Sequence, residues 1–359
     1  MVAKARRKLK ARSRSRRAVF HCTLRCVRRA FLCGQDPVSG NDYSHRRDWI
    51  LIREEQLAGL FAIEVEFRCE MQNHLHVMLR TCPEIARRLS DEEVARRWLT
   101  ITKLAKCKSD AMPVPDPKRV EELVKDKKRI KKLRRRLTDI SWFMGILAEN
   151  IARRANAEDG CRGRFWESRF KCRECADDGA VLVCGVYVDL NAQRAGEVDS
   201  PEQARYTSVF QRLMARSRPA DALDRPDGWM AELTLAPESK ATESLAYSSR
   251  TGRRATDMGI LPITLDVYVQ LLKTTGEMLR SGERTTIPKD LVALLDRMEV
   301  NPEAWVETVE GYDELFGDVV GSASSIKQAA EEMGVSRLKG TAAGGRVFRE
   351  CSGAAADAA

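Results

Sequence analysis

The order of strand-like and helix-like segments between residues 18 and 191 limits this chain to folds that combine helices with a sheet. Residues 139–156 show the helical pattern most clearly, because apolar side chains recur there every three or four positions. The predicted strands are at 18–32, at 62–79 as an antiparallel pair, and at 164–171; the predicted helices are at 46–62, 91–108, 139–156 and 180–191. This order predicts an α+β fold in which an antiparallel sheet carries helices on one face.

Composition changes after residue 212 and separates further regions from this first part. The segment that follows is rich in Ser, Arg, Pro, Asp and Ala and has little periodicity, which predicts a linker. Helical periodicity then returns, at 264–281, 288–299 and 324–334. The predicted organisation is a basic disordered arm at 1–17, a folded domain at 18–212, a linker at 213–260, a helical C-terminal module at 261–350 and a disordered tail at 351–359.

The net charge of +10 is concentrated in two blocks. Residues 1–17 contain nine Lys or Arg and no acidic residue, and residues 118–136 contain eleven Lys or Arg against three acidic residues. Such blocks are typical of proteins that neutralise nucleic-acid phosphates. A solvated helix face is the alternative for the second block, and an anionic membrane surface has less support. The second block lies in an insertion at 112–138, and its expected DNA-binding residues are Lys128, Arg129, Lys131, Lys132 and Arg134.

Composition and cysteine content favour a cytoplasmic protein with no membrane partner. The 43% hydrophobic and 32% charged fractions are those of a globular protein, and no apolar run of about 18 residues occurs. No secretory signal is recognisable, so we expect the eleven cysteines to be reduced thiols. A zinc-stabilised nucleic-acid adaptor is an alternative, with ligands from Cys172 and Cys175 or from Cys22 and Cys26.

Two of the four histidines form the sequence His74-Leu75-His76 inside a strand-like run. Because side chains alternate along a strand, both imidazoles lie on one face. Two neutral imidazoles at this spacing can bind one metal ion and leave positions open for a third ligand and a substrate oxygen. A chance pair of half-exposed histidines explains the spacing equally well when the pair is considered alone.

Three separated segments carry a more specific pattern. They are residues 69–79 (CEMQNHLHVML), 163–171 (GRFWESRFK) and 186–191 (VYVDLN). In this order they resemble the HUH-type single-tyrosine transposases, particularly the REP-associated members. The resemblance covers roughly residues 18–212 and implies a ferredoxin-like HUH domain, with an antiparallel sheet and helices packed on it.

The resemblance also implies a set of functional residues. Tyr187 is the implied nucleophile, and Asn191 is the implied third metal ligand beside His74 and His76. Residues four apart share a helix face, so Tyr187 and Asn191 are expected on the same side. The implied cofactor is Mg²⁺ or Mn²⁺, and the implied reaction is cleavage and transfer of single-stranded or hairpin DNA through a 5′-phosphotyrosine intermediate. A tyrosine simply packed in the core is the alternative for Tyr187.

The second matching segment supplies expected DNA contacts. Arg164, Arg169 and Lys171 are expected to bind phosphates, whereas Phe165 and Trp166 either stack on bases or pack in the core. A DNA partner would place the protein at the nucleoid. The sequence leaves open whether the chain acts as a monomer or a homodimer, and whether Tyr187 serves its own active site or a partner's.

Two departures from the family pattern support an alternative, in which the chain is a transposase-derived regulator that binds DNA and cuts it weakly. Asn191 is followed by Ala192-Gln193, where many members have proline. Gly185 lies in the presumed tyrosine helix, where glycine costs about 1 kcal/mol relative to alanine.

Overall fold

The computed structural model describes residues 16–27, 30–37, 39–218, 227–235, 254–282 and 286–349. Within these ranges the chain forms a five-stranded sheet and fifteen α-helices, an α+β architecture. The strands are β1 (Val19–Arg25), β2 (Ile63–Glu70), β3 (His74–Thr81), β4 (Lys171–Cys175) and β5 (Val319–Val320). The helices up to β4 are α1 (His45–Leu60), α2 (Pro83–Arg88), α3 (Asp91–Leu104), α4 (Pro117–Lys125), α5 (Lys127–Arg136) and α6 (Ile140–Glu158). The later helices are α7 (Asp178–Asp189), α8 (Asn191–Arg194), α9 (Ser208–Ser217), α10 (Leu265–Ser281), α11 (Lys289–Arg297), α12 (Trp305–Glu310), α13 (Tyr312–Leu315), α14 (Ala323–Met333) and α15 (Thr341–Val347).

Hydrogen bonding orders the strands β2-β3-β1-β4-β5. From β2 to β4 neighbouring strands run antiparallel, as the sequence predicts. The short β5 instead pairs with β4 in parallel, so the sheet is mixed. The prediction of a purely antiparallel sheet is wrong at this edge, because a two-residue strand far along the chain has no periodicity that a sequence pattern could detect.

Helices cover both faces of the sheet, whereas the sequence predicts helices on one face. On one side, Arg68 of β2 forms an ion pair of 2.7 Å with Glu54 of α1. On the other side, Phe67 of β2 packs against α7 at Gly185. Adjacent strand residues point to opposite faces, so α1 and α7 enclose the sheet. Every residue of β2 is buried, which two-sided coverage explains.

The predicted helices are confirmed with small shifts at their ends. Helix α6 begins after Asp139, whose side chain accepts a hydrogen bond of 2.9 Å from the backbone N–H of Ser141 and so caps the helix. The helices predicted in the C-terminal module correspond to α10, α11 and α14. Local periodicity and capping therefore account for most helix positions.

The strand predicted at 164–171 is not formed over most of its length. Strand β4 begins only at Lys171, and the preceding residues form a loop, in which Trp166 forms an isolated bridge with Cys26, the residue after β1. Phe165 and Trp166 are both buried although they are adjacent, which strand alternation does not allow. The indole Nε1 of Trp166 donates a hydrogen bond of 2.9 Å to the carbonyl oxygen of Ala148, which fixes the loop against α6.

The basic insertion at 112–138 contains α4 and α5. Their apolar residues Val120, Leu123, Ile130 and Leu133 are buried, and both helices pack on α3. The basic side chains are thereby turned outward from one side of a packed helical pair.

The described parts of the segment 213–260 are packed against the sheet, which corrects the linker prediction for them. Met230 is buried, and Arg80 of β3 donates hydrogen bonds of 2.8 Å to the carbonyl oxygens of Met258 and Gly259. These contacts leave no periodic signal, because they use backbone carbonyl groups of an irregular segment. The rest of this predicted linker lies outside the described residues.

The main hydrophobic core extends from Phe20 in β1 to Phe348, just after α15. The described part of the predicted C-terminal module therefore shares one core with the sheet, and β5 extends that sheet. The predicted arm and tail fall almost entirely on residues 1–15 and 350–359, outside the described residues. No helix in the described ranges combines the length and the apolar character needed to cross a bilayer.

Candidate active site

The antiparallel register gathers polar side chains from three strands on one face of the sheet. In the pairing of β1 with β3, Thr23 lies opposite His76 and Arg25 lies opposite His74. In the pairing of β1 with β4, Thr23 also lies opposite Lys171. Directly opposed residues of antiparallel strands share a face, so the histidine pair is flanked by side chains from β1 and β4.

A cavity of about 250 Å³ lies over this face. The lining residues are His21, Thr23, Leu24, Arg25, His74, His76, Glu167, Ser168, Lys171, Cys172, Arg173 and Asp313. Three basic side chains line the cavity against two carboxylates, and three histidines contribute further polar surface. This balance suits an anionic group such as a phosphate.

His74 is half-buried at the start of β3, and its Nδ1 lies 2.5 Å from the side-chain oxygen of Asn73. A proton on Nδ1, donated to Asn73, leaves the lone pair of Nε2 free. Burial, and secondarily the charge of Arg25, lowers the pKa of His74 from 6.5 to about 4. The imidazole is therefore neutral at neutral pH, the form that binds metal ions.

His76 is only 3% exposed and is held by a third histidine, His21 of β1, which the sequence did not single out. Nδ1 of His76 lies 2.9 Å from Nε2 of His21, and the two rings stack with centroids 5.1 Å apart. Nε2 of His76 is buried without a hydrogen-bond partner in the described part of the chain. Burial, together with the proximity of His21 and His74, lowers the pKa of His76 well below its usual value. Only the strand register identifies His21, because it lies far from the pair in sequence.

Tyr187 projects from α7 towards the histidines. Its side chain is 5% exposed, and its ring centroid lies 5.6 Å from that of His76. The helix is anchored two residues further on by the buried carboxylate of Asp189, which accepts hydrogen bonds from Ser208 Oγ at 2.5 Å and from Tyr268 OH at 2.8 Å. This buried hydrogen-bond network holds the C-terminal end of α7 in place and so fixes the position of Tyr187.

Gly185 allows α7 to approach the sheet at this point. A Cβ at Gly185 would lie 2.8 Å from the ring of Phe67, a distance that real side chains do not reach. The glycine in the tyrosine helix therefore has a packing role that offsets its low helix propensity.

Asp313 in α13 is the partner of the tyrosine hydroxyl. Tyr187 OH donates to Oδ2 of Asp313 at 2.9 Å, and Arg173 of β4 forms an ion pair of 2.5 Å with Oδ1. The ring of Tyr312 stacks on that of Tyr187 with centroids 4.6 Å apart. Sequence reasoning missed both residues, because nothing local links α13 to α7.

These contacts set the protonation states of the tyrosine and the carboxylate. Burial, then the charge of Asp313 and the hydrogen bond to it, raises the pKa of Tyr187 above its usual value. Burial alone would raise the pKa of Asp313, but the charge of Arg173 and the hydrogen bond from Tyr187 hold it below its usual value. Tyr187 is therefore a neutral phenol bonded to a carboxylate at neutral pH.

Asn191 lies beside Tyr187, as four-residue spacing predicts, but it does not line the cavity. Its Nδ2 donates a hydrogen bond of 3.0 Å to the backbone carbonyl oxygen of Tyr187. The guanidinium of Arg194 lies 5.0 Å above the ring of Tyr187. A metal-ligand role for Asn191 would therefore require its side chain to turn towards the histidines.

The donor atoms at the histidine pair fit a metal ion in part. Across the described ranges, no three His, Cys, Asp or Glu side chains are arranged to hold one metal. His74 and His76 nevertheless both direct Nδ1 to a hydrogen-bond partner and keep Nε2 available, the arrangement by which partners orient metal-binding histidines. Their ring centroids lie 4.9 Å apart. The unpartnered buried Nε2 of His76 would gain a partner in a bound cation.

The other expected DNA-binding residues lie in two places. Lys171 lines the histidine cavity, and Arg164 and Arg169 line a second cavity beside it. On α5, Lys128, Lys131 and Lys132 line a third cavity together with Trp142, whereas Arg129 does not. Arg134 is engaged in packing instead: it donates 2.8 Å to the carbonyl oxygen of Ala86 and pairs with Asp91 at 2.7 Å. Arg134 therefore links α5 to the preceding helices.

The cysteine arrangement does not favour the zinc alternative. Cys172 and Cys175 are three apart on β4 and so project to opposite faces. Cys172 faces Cys22, with sulfur atoms 3.9 Å apart. All cysteines within the described ranges are free thiols.

Comparison with known proteins adds no assignment: no family model, no curated protein and no solved structure matches this chain.

Proposed function

We propose that this chain is a metal-dependent single-strand DNA nuclease and strand transferase of the HUH single-tyrosine type, acting in DNA transposition or in the mobilisation of short repeats. The observation that carries the proposal is the packing of the Tyr187 ring against His76, which lines the same cavity as His74. These residues come from β3 and α7, more than a hundred positions apart in sequence. Their convergence is what a shared catalytic role requires.

The strand order supports a ferredoxin-like HUH arrangement for the first part of the chain. Strands β1 and β2 flank β3, and both run antiparallel to it, so they are parallel to each other. Helix α1 connects them, as in a split β-α-β unit. Strand β4 adds on the far side of β1, antiparallel to it. Strand β5 and the later helices extend this arrangement.

His74 and His76 would hold Mg²⁺ or Mn²⁺ through their Nε2 atoms, and Asn191 would serve as a further ligand after a side-chain rotation. Such an ion, when bound, would offset phosphate charge during attack. Oxygen donors from the DNA and water would complete the coordination, since these ions prefer oxygen ligands.

In the proposed reaction, the hydroxyl oxygen of Tyr187 attacks a DNA phosphate. The new O–P bond links Tyr187 to the 5′ side of the cut, and the P–O3′ bond breaks to leave a 3′-hydroxyl after protonation by water. The phenol proton passes along its existing hydrogen bond to Asp313 as the phenol becomes acidic during bond formation. Attack by a 3′-hydroxyl on the phosphotyrosine reverses the step and rejoins a strand, so no nucleotide cofactor is required.

Charge on the surface supports DNA as the partner. Lys171 and Arg25 at the histidine cavity would contact the phosphates next to the cut. The basic face of α5, with Lys128, Lys131 and Lys132, would contact a more distant part of a hairpin. Because His74, His76 and Tyr187 of one chain already meet, a monomer with its tyrosine acting in cis is sufficient, and a homodimer is not required.

A DNA-binding regulator with weak cleavage is the second candidate. The hydrogen bond to Asp313 and the stacking of Tyr312 favour it, because both hold Tyr187 as a neutral phenol with a raised pKa. This candidate predicts DNA binding without a covalent product.

The deciding experiment measures a covalent protein–DNA adduct. Purified protein is incubated with Mg²⁺ or Mn²⁺ and labelled hairpin oligonucleotides, including sequences that flank the gene, and denaturant-resistant complexes are detected. We expect a metal-dependent adduct that Tyr187→Phe abolishes. Tyr206→Phe is the matched control, because the Tyr206 hydroxyl donates to Asp48 at 3.1 Å, whereas that of Tyr187 donates to Asp313. Tight binding of the flanking hairpins with no covalent adduct would instead support the second candidate, a DNA-binding regulator.

A further inference from the structure

Cys22 of β1 and Cys172 of β4 lie directly opposite each other in the sheet. The thiol of Cys22 donates towards the sulfur of Cys172, and the two sulfur atoms are 3.9 Å apart. Both side chains alternate with those of Thr23 and Lys171, so they lie on the face of the sheet opposite to the histidines. The proposed reaction at Tyr187 makes no use of this pair.

The backbone hydrogen bonds of β1 show which kind of cross-strand pair the two cysteines form. Just after β1, the N–H of Cys26 donates to the carbonyl oxygen of Asn73 on the β3 side at 2.8 Å. Alternate residues of a strand direct their backbone groups to the same side, so Cys22 also directs its backbone groups to β3. The pair that Cys22 forms with Cys172 on β4 is therefore a non-hydrogen-bonded pair. In such pairs the Cα atoms are closest, at about 4.5 Å.

The separation of a non-hydrogen-bonded pair suits a disulfide bond. A disulfide joins cysteines whose Cα atoms are about 4.4–6.8 Å apart, so the strands already have the required separation. Bond formation would bring the sulfur atoms of Cys22 and Cys172 from 3.9 Å to about 2 Å. Rotation of the two side chains can supply this movement, because the sulfur atoms already face each other.

Solvent reaches one member of the pair. Cys22 is fully buried, whereas Cys172 is half-buried. Strand β5 pairs with β4 at Glu174 and Cys175, so Cys172 lies beyond the end of that pairing. A small oxidant in solution would therefore meet the sulfur of Cys172 first, with the thiol of Cys22 directly behind it.

The other cysteines in the described ranges are less suited to this chemistry. The thiols of Cys107 and Cys161 are accessible, but they are hydrogen-bonded to Ser109 and Asn156. The remaining cysteines are shielded from an oxidant in solution because they are buried: Cys26, Cys33, Cys69, Cys82, Cys175 and Cys184. Cys22 and Cys172 therefore combine a facing thiol with access from solvent.

We propose that Cys22 and Cys172 are a redox modification site, at which hydrogen peroxide forms a disulfide bond between β1 and β4. The thiolate of Cys172 attacks one peroxide oxygen, and the O–O bond breaks to give a sulfenic acid and hydroxide, which takes up the proton that Cys172 lost. The sulfur of Cys22 then attacks the sulfur of Cys172. The S–O bond breaks, and the hydroxide leaves as water with the proton of Cys22. Both thiols are oxidised, and the peroxide is reduced to water.

A thiol reductant reverses the modification by attacking the half-buried sulfur of Cys172. The bond would tie together the two strands that carry Thr23 and Lys171 at the histidine cavity. Peroxide would thereby clamp the sheet beneath the cavity from its opposite face. This inference does not depend on the proposed reaction at Tyr187.

The test treats the reduced full-length protein with hydrogen peroxide in the absence of denaturant. Remaining thiols are blocked with N-ethylmaleimide, and mass spectrometry of proteolytic fragments identifies linked peptides. We expect a peptide pair that joins Cys22 to Cys172, absent before treatment and removed by dithiothreitol. The oxidised protein should unfold about 5 °C or more above the reduced protein, because the bond closes a loop across 150 positions of the chain.

Three variants assign the order of the steps. Cys22→Ser leaves Cys172 without the attacking thiol, so its sulfenic acid should accumulate and be trapped by dimedone. Cys172→Ser should leave Cys22 unreacted, because Cys22 is buried. Cys161→Ser is the matched control at an exposed cysteine and should retain the linked peptide. Thermal unfolding checks that each variant is folded, and the measurement on the parent protein needs no variant.

The outcomes on the parent protein decide the inference. Absence of the linked peptide after peroxide treatment overturns it, and so does a linked peptide that forms only in urea or that lowers the unfolding midpoint. A linked peptide formed in the folded protein, with a raised midpoint, supports it. The adduct at Tyr187 is measured separately in the presence of dithiothreitol, so a missing adduct removes the nuclease assignment and leaves the cysteine site intact.

Discussion

Lowering the pH from about 7 to about 5.5 should leave His74 uncharged. Burial lowers the pKa of His74 to about 4 from the usual 6.5, because a charged ring would lose hydration and would also face Arg25. An ordinary imidazole would be mostly protonated at about pH 5.5, since its pKa lies near 6.5. The protonation of His74 and that of an ordinary imidazole therefore differ clearly within a pH range that most folded proteins tolerate.

The lowered pKa of His74 also contributes to the free energy of unfolding. A fall in pKa from 6.5 to about 4 corresponds to about 3 kcal/mol, at about 1.4 kcal/mol for each pKa unit. The unfolded state binds the proton more tightly than the folded state, so this contribution is present above about pH 6.5 and is lost as the pH falls towards 4. The partial exposure of His74 to solvent makes this figure an upper limit.

Nuclear magnetic resonance of the imidazole C–H groups measures the pKa directly. The chain has four histidines, and His74→Gln identifies the signal of His74 by its disappearance. We expect that signal to keep its neutral chemical shift down to about pH 5. Urea unfolding of the parent protein and of His74→Gln should show a stability difference that changes between about pH 6.5 and pH 4.5. Titration of His74 near 6.5 would refute the reasoning from burial.

Metal binding gives a second consequence of the same pKa. An ordinary imidazole ligand would lose about ten-fold in affinity near pH 5.5, because protons compete for its nitrogen. The lowered pKa values of His74 and His76 should protect both nitrogens. We expect the Mn²⁺ affinity, measured by electron paramagnetic resonance, to change by less than about two-fold between pH 7 and pH 5.5. A ten-fold loss would mean that the imidazoles titrate normally.

Four further variants test other parts of the structure. Glu66 of β2 is fully buried, and burial raises its pKa from 4.5 to about 7. The folded state therefore keeps a proton that the unfolded state loses. The free energy of unfolding should fall by up to about 3 kcal/mol as the pH rises from 4.5 to 7. Glu66→Gln should remove that decline in urea unfolding, and a decline that persists would exclude Glu66 as its source. Gly185→Ala should destabilise the protein by about 1–2 kcal/mol, because overpacking against Phe67 exceeds the gain in helix propensity. Gly145→Ala should stabilise the protein slightly, because its methyl group meets no other atom. Equal effects of the two variants in thermal unfolding would contradict the packing argument. Asp313→Asn should slow formation of the Tyr187 adduct about a hundred-fold or more by removing the proton acceptor, and faster adduct formation would instead mean that Asp313 restrains the tyrosine.

The sequence by itself determined the features that depend on neighbouring residues. Helix α6 was predictable because its apolar residues repeat along one face and Asp139 caps its start. His74 and His76 were predictable as a pair on one face, because strand alternation is a local property. The adjacency of Asn191 to Tyr187 was predictable for the same reason, from the pitch of a helix.

The tertiary structure decided the features that join distant parts of the chain. His21 pairs with His76 across 55 positions, and Asp313 accepts the hydrogen bond of Tyr187 across 126 positions. The glycine at position 185 is explained only by the closeness of Phe67. A loop replaces most of the strand expected at 164–171, because the side chain of Trp166 hydrogen-bonds to α6. Periodicity reports the face a side chain occupies, and it carries no information about which distant residue meets that face. The hydrogen bond and the charges that set the pKa of Tyr187 arise only when the sheet, α7 and α13 pack together.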